Sequence, residues 1–131
     1  MLYLILRKKG RKFTMKENLY LIGQVSKKLN IPISTLHYYD KQGLLPLVKR
    51  NSNGNRLFDD RDLEILYYIT CFKDAGMTIK QIKTYFELYE QGANKKEDRK
   101  VLLEQQLVTL EEKISELEKA KKVLIGKINE L

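Results

Sequence analysis

The last third of the chain constrains the fold most, because it carries a regular apolar stripe. From about residue 94 to the end, apolar residues recur at alternating spacings of four and three, and Lys121 is the only polar break. The stripe comprises Leu103, Leu107, Leu110, Ile114, Leu117, Leu124 and Ile128, and it ends at Leu131. This heptad pattern predicts one long coiled-coil helix. The preceding domain is too short to cover it, so we expect a second copy to do so; folding back onto its own domain is the less favoured alternative.

Composition excludes several classes of protein. The 131 residues fit one small domain plus an extended element, and 7 glycines and 2 prolines favour helices over a loop-rich or all-β fold. One cysteine and one histidine cannot form an intramolecular disulfide or a zinc site within one chain. We therefore expect a mainly α, cytoplasmic protein that is not an enzyme and has no cofactor or metal.

Two short helices are predicted after residue 18. Asn30 can end the first helix, Pro32 suits the first turn of the second, and Gly43 can end it. In the first helix the apolar residues at helical spacing are Leu21, Ile22, Val25 and Leu29. In the second helix they are Ile33, Leu36, Tyr39 and also Tyr38. Two short helices joined by about three residues predict a helix-turn-helix.

A small basic hairpin is predicted next. In residues 44–58, Leu47-Val48 and Leu57-Phe58 flank a polar stretch that contains Asn53-Gly54. This pair is a strong hairpin signal because both residues tolerate positive φ. Since the arms carry Lys49, Arg50 and Arg56, we interpret the segment as a wing with a basic tip.

Two supporting helices should follow the wing. Asp59-Asp60 can cap a helix over about 60–74, and Thr78 with Gln81 forms a capping box for another that ends near Gln91-Gly92. We expect Leu63, Leu66, Tyr67, Thr70 and Cys71 to share one stripe of the former, and Ile79, Ile82, Phe86 and Tyr89 to point inward from the latter.

The positive charge is unevenly distributed. The chain has a formal charge of +8, and six basic residues without an acid lie in residues 1–16. We expect residues 1–17 to be a disordered or non-native extension, with Met15 as an alternative start, followed by a domain over 18–92 and a coiled coil over 93–131. The more informative stretch is 21–58, where six basic residues oppose Asp40 alone, a local charge of +5.

These elements predict a DNA-binding surface. The second helix of the pair should enter the major groove, where hydroxyl, imidazole and amino groups bond to phosphates and base edges. The candidate contacts are Ser34, Thr35, His37, Tyr38 and Lys41 on the helix, and Lys49, Arg50, Asn55 and Arg56 on the wing. The alternatives are a solvated polar face, or a coiled-coil protein whose helix-turn-helix docks protein.

Three segments favour DNA. TLHYYDKQGLLP (35–46), NGNRLFDDRDLEIL (53–66) and DAGMTIKQIK (74–83) resemble the DNA-binding domain of the MerR family of bacterial transcription regulators, and the similarity covers about residues 19–90. The resemblance implies a winged helix-turn-helix, an antiparallel coiled-coil homodimer, and RNA polymerase on the same promoter. It also implies distortion of DNA between the −35 and −10 elements. Departures are His37, where the family usually has Arg, and Leu21 and Pro32, where hydroxyl caps are frequent.

A cysteine is the candidate sensor of the inducing signal. YYITCFKDAGMTI (67–79) and QGANKKEDRKVLLEQQ (91–106) are most similar to a subgroup that responds to aldehydes and other electrophiles through one cysteine, here Cys71. The alternative is that Cys71 is a small buried apolar residue. We expect neither metal sensing nor an appended effector domain. The aromatic residues Tyr67, Tyr68, Phe72, Tyr85 and Phe86 are expected to serve core or dimer packing.

Overall fold

The computed structural model describes residues 18–45 and 49–131, and within them the chain is mainly helical, as predicted. The predicted extension over residues 1–17, Met15 and Leu47-Val48 lie outside these ranges. The elements are α1 (Ile22–Leu29), α2 (Ile33–Lys41), β1 (Lys49–Arg50), β2 (Arg56–Leu57), α3 (Asp60–Asp74), α4 (Ile79–Glu90), a 3-10 turn (Ala93–Lys95) and α5 (Lys96–Glu130). No helix in the described ranges is both long and apolar enough to cross a membrane.

The helix-turn-helix begins without a hydroxyl cap. Leu21 is the N-cap residue of α1, and its backbone N–H donates to Gln24 Oε1 at 2.8 Å, which is the half of a capping box that does not need a polar N-cap side chain. Asn30 ends α1 with φ 54°, as its place in the sequence predicted. Three of the apolar residues at helical spacing are nevertheless exposed: Leu21 and Ile33, where the two helices begin, at 44% each, and Tyr38 at 48%.

Both supporting helices start at the predicted caps, and the cap at Asp59 is also a capping box, formed with Asp62. Asp59 and Asp62 exchange hydrogen bonds from backbone to side chain, both at 2.9 Å. Thr78 and Gln81 do the same at 2.8 and 3.1 Å. Each reciprocal pair satisfies two amide groups that a helix start would otherwise leave unbonded, and so fixes where α3 and α4 begin.

The four helices α1, α2, α3 and α4 share one apolar core. Its members are Val25, Ile31, Leu36, Tyr39, Leu44, Leu45, Phe58, Leu63, Leu66, Ile69, Met77 and Ile82. The predicted α3 stripe needs a correction, since Tyr67 is 57% exposed and Ile69 is fully buried. On α4 the inward residues include Tyr85, whereas Phe86 and Tyr89 are only partly buried. The reason is that α3 packs against both α1 and α4, which centres its buried face on Leu66 and Ile69.

The long helix α5 contacts the domain only through its first turns. Leu102 and Leu103 pack against the core, and Gln106 Nε2 donates to the carbonyl of Ala75 at 2.8 Å, just past the end of α3. From residue 111 onward every side chain is exposed, with Leu117 at 59% and Ile128 at 67%. The stripe therefore leaves its own domain and is not covered by any residue of 18–45 or 49–131 in the same chain.

The hydrogen bond from Gln106 should contribute measurably to stability. We expect Gln106→Ala to lower the free energy of unfolding by about 1 kcal/mol, because the Ala75 carbonyl at a helix end loses its partner. The matched control is Gln105→Ala on the exposed side of the same turn. Thermal unfolding at equal protein concentration should show a Tm several degrees lower for Gln106→Ala only. Equal Tm values for the two variants would contradict this role.

Candidate nucleic-acid interface

The recognition helix α2 is anchored on one side and polar on the other. Leu36 and Tyr39 are buried in the core, so the residues between them are turned outward. The predicted contacts Ser34, His37, Tyr38 and Lys41 are all exposed, and Thr35 is half-buried. A helix held by its apolar side presents its polar side as a fixed surface, which is the arrangement that insertion into a groove requires.

The hairpin predicted from Asn53-Gly54 is present, and its turn has three residues. Gly54 N–H donates to the Asn51 carbonyl at 3.0 Å, and Asn51 N–H donates to the Asn55 carbonyl at 2.8 Å, which closes a three-residue loop. Gly54 has φ 80°, whereas Asn53 does not have positive φ. This is a type I turn followed by a left-handed residue. Asn51 Oδ1 also accepts from the N–H groups of Asn53 and Asn55 at 3.0 and 2.9 Å, which stiffens the tip.

The basic residues of the wing have different environments. Lys49 and Arg50 are exposed on β1, and Arg50 Nη1 donates to the Gly54 carbonyl at 2.7 Å. Arg56 lies opposite Arg50 in the antiparallel pair, is half-buried, and forms an ion pair with Asp40 at the C-terminal end of α2. The three basic residues therefore lie together on the wing, but the guanidinium of Arg56 is paired with Asp40.

A groove of about 600 Å³ lies between the start of α1, the middle of α2 and the wing. The titratable side chains that line it are Lys27, His37, Asp40, Arg50 and Arg56. Sequence reasoning did not name Gln24 as part of this surface, and it counted Lys27 and Asp40 only in the net charge of residues 21–58, not as candidate contacts. The one available signal was that Asp40 is the only acid between residues 21 and 58.

Cys71 lies away from this groove, on the exposed side of α3, and is half-buried. Its neighbour one turn earlier is Tyr67, whose hydroxyl pKa is raised, first of all by a hydrogen bond with Cys71. Lys73 is exposed, and a residue two positions away on a helix faces another direction, so it does not lie over the sulfur. The thiol is therefore neither fully buried nor paired with that lysine.

The aromatic residues near α4 form a packed cluster. Phe72 contacts Tyr85 edge-on at 5.0 Å between ring centroids, and Tyr85 contacts Phe86 in the same way at 5.3 Å. These geometries are those of packed aromatic pairs, which agrees with a packing role. Tyr67 and Tyr68 are paired at 5.5 Å, with Tyr67 on the surface. Across residues 18–45 and 49–131, no three His, Cys, Asp or Glu side chains lie close enough to hold a metal ion.

Two protein-family models match this chain. Residues 20–88 match the model of the MerR helix-turn-helix regulatory proteins, which spans α1 through most of α4. Residues 63–126 match a second model described as the MerR DNA-binding region, which extends from α3 far into α5.

Individual relatives agree with this match. A Haemophilus influenzae protein described as an uncharacterised helix-turn-helix transcriptional regulator is 39% identical over 100 residues, which are 76% of this chain and 74% of the relative. The transcriptional regulator AdhR of Bacillus subtilis is 37% identical over 82 residues, 63% of this chain and 59% of AdhR. These relatives are transcriptional regulators, which confirms the prediction of a regulator rather than an enzyme.

Solved structures give the same result. One similar structure is that of HiNmlR, described as a MerR family regulator lacking the sensor domain, bound to promoter DNA. The TM-score is 0.76 at 37% sequence identity, and the match covers 85% of this chain and 88% of HiNmlR. A MerR family regulator from Bacillus thuringiensis has the same TM-score and identity, and the match covers 87% of this chain and all of that one. The chain belongs to the MerR family of helix-turn-helix transcriptional regulators.

Proposed function

We propose that this MerR family chain acts as a homodimer that binds promoter DNA sequence-specifically. In this proposal α2 enters the major groove and the wing contacts the flanking backbone. The observation that carries it is the exposed polar face of α2 beside a basic wing, with His37 of α2 and Arg50 and Arg56 of the wing lining one groove. The promoter DNA bound by the relative HiNmlR supports the same partner.

The uncovered stripe of α5 supports the dimer. Ile114, Leu117, Leu124 and Ile128 are 46–67% exposed and repeat at heptad spacing along one face. Leu107 and the half-buried Leu110 continue this face, and Leu103 links it to the core of its own domain. A second α5 running antiparallel would cover the stripe and place two copies of α2 at opposite ends of the dimer. Two half-sites would then be bound at once.

The mechanism that follows is control through DNA shape. In this proposal the −35 and −10 elements of the promoter are separated by a spacer that is too long. A dimer bound to both half-sites would kink and untwist the DNA between these elements. RNA polymerase on the same promoter would then find the two elements aligned. A matched promoter with a shortened spacer tests this step, because its transcription should no longer depend on the protein.

DNA binding should depend steeply on salt. The full chain is expected to bind its own upstream region with log K falling linearly as log salt rises, by about 0.9 for each phosphate neutralised. Lys41→Gln should weaken binding and reduce this slope, because an exposed cation of α2 is removed. Lys122→Gln, at an exposed position near the end of α5, is the control. An affinity that stays flat between low and moderate salt would favour the protein-docking alternative.

The dimer should depend on the α5 stripe. Leu117→Lys places a charge at the centre of the proposed seam, so sedimentation should show a shift toward monomer, and operator binding should weaken at least tenfold. Glu116→Lys introduces the same side chain one residue away, off the seam, and should keep the dimer. If both variants sediment as the unmodified chain does, the seam does not hold the dimer.

We further propose that Cys71 triggers the response to aldehydes and other electrophiles. The half-exposed thiol is the only one in the chain, and Tyr67 supplies a hydroxyl next to it. Its thiolate would add to the carbonyl carbon of an aldehyde, the oxygen would take up a proton, and a bulky adduct would form on α3. The alternative within the same family is a regulator that does not sense thiol-reactive compounds.

Removing the thiol separates these alternatives. Cys71→Ser should bind the promoter with unchanged affinity but lose aldehyde-induced transcription, measured from the native promoter with and without the aldehyde. Thr70→Ser, at a half-buried neighbouring position that keeps its hydroxyl, should respond as the unmodified protein does. Undiminished induction in Cys71→Ser would rule out the thiol as the sensor.

A further inference from the structure

We propose that Asp40 and Arg56 form a clamp that holds the wing against the recognition helix, so that Asp40 is a positioning residue for DNA binding. This inference rests on the proposed function. It assigns a role to the single acid of the DNA-facing stretch, and it gives Arg56 a role other than contact with a phosphate.

The two partners come from rigid elements. Arg56 Nη2 contacts Asp40 Oδ1, with the side chains only 18% and 24% exposed. Next to Asp40, Tyr39 is buried, and the backbone carbonyl of Asp40 accepts from Gly43 N–H at 2.9 Å. An ion pair whose side chains are already confined loses little conformational entropy when it forms, so it can hold two elements together better than a flexible surface pair.

The strand that carries Arg56 is also anchored on its other side. Phe58 is buried in the core, and its backbone exchanges hydrogen bonds with Tyr20 at 2.8 and 2.9 Å. The base of β2 is therefore fixed. The clamp adds a second point of attachment two residues nearer to the tip of the wing.

The wing needs such an attachment. Its two strands have two residues each, Lys49–Arg50 and Arg56–Leu57. A hairpin of this length is not stable by itself and must be held by packing or by side-chain contacts. The ion pair between Arg56 and Asp40 sets the distance between the wing and the recognition helix. DNA binding requires this distance to stay constant, because both elements contact the same duplex.

The clamp and simple charge repulsion predict opposite changes in DNA affinity when Asp40 is neutralised. Asp40 lines the groove together with Lys27, His37, Arg50 and Arg56, and it is the only acid among the described residues that line it. A carboxylate on a phosphate-facing surface repels DNA, so charge alone predicts tighter binding when Asp40 is neutralised. The clamp predicts weaker binding, because the wing is released. The two explanations therefore differ in sign.

The first test neutralises Asp40 in the full chain. Asp40→Asn should raise the Kd for the upstream duplex about three- to tenfold, with a Tm close to that of the unmodified protein. Asp98→Asn on α5 makes the same change in a surface ion pair with Lys95 of the 3-10 turn and should leave the Kd within about twofold. Unchanged or tighter binding by Asp40→Asn overturns the clamp.

The second test concerns Arg56 and does not depend on Asp40→Asn folding normally. Arg56→Met should weaken binding but leave the slope of log K against log salt nearly unchanged. Arg50→Met should reduce that slope by about 0.9 for each phosphate that Arg50 neutralises. The reversed pair Asp40→Arg with Arg56→Asp should bind better than either single change. A slope reduced as much by Arg56→Met as by Arg50→Met, or a reversed pair without rescue, overturns the clamp.

These results also separate the clamp from the function on which it rests. If the unmodified chain shows no salt-dependent binding to its upstream region, the DNA-binding proposal fails. If the unmodified chain binds and Asp40→Asn binds more tightly, only the clamp fails.

Discussion

The burial of one side of α2 is the constraint on which the rest of the surface depends. Leu36 and Tyr39 are packed into the core beneath α2, and this fixes the rotation of the helix. Ser34, His37, Tyr38 and Lys41 are consequently turned to solvent together rather than scattered. The wing is then placed relative to this face by the capped start of α3, by the contact of Phe58 with Tyr20, and by the ion pair from Arg56 to Asp40.

The same domain connects its proposed DNA-binding side to the helix that extends beyond it. At the end of α3, the carbonyl of Ala75 accepts from Gln106 of α5, and Leu102 and Leu103 pack nearby against the core. Cys71 lies one turn before Ala75 on α3. A change in how α3 ends would therefore be transmitted to the start of α5, which gives an adduct on the thiol a physical route to the proposed dimer helix.

Local signals in the sequence were sufficient for most of the fold. The capping residues Asp59 and Thr78 and the left-handed Asn30 act through neighbours within four residues, so their positions could be predicted without knowledge of the packing. The heptad stripe predicted a long helix for the same reason, because its period is set by the helix itself.

Features that depend on distant contacts could not be predicted in this way. The exposure of Tyr67 and the burial of Ile69 follow from α3 packing against two helices at once. The three-residue wing turn depends on the Asn51 side chain as well as on Gly54. The pairing of Arg56 with Asp40 joins residues 16 positions apart, and nothing local indicates that this arginine faces the protein.

A hydroxyl-radical footprint of the full chain on its own upstream DNA tests the central claim most directly. Two copies of α2 held by one antiparallel α5 pair should protect two patches on the same side of the duplex. The patches should be related by a dyad and separated by a whole number of helical turns, each about 10 base pairs. Protection of a single patch, or of none at concentrations where the protein is dimeric, would contradict a dimer that reads two half-sites.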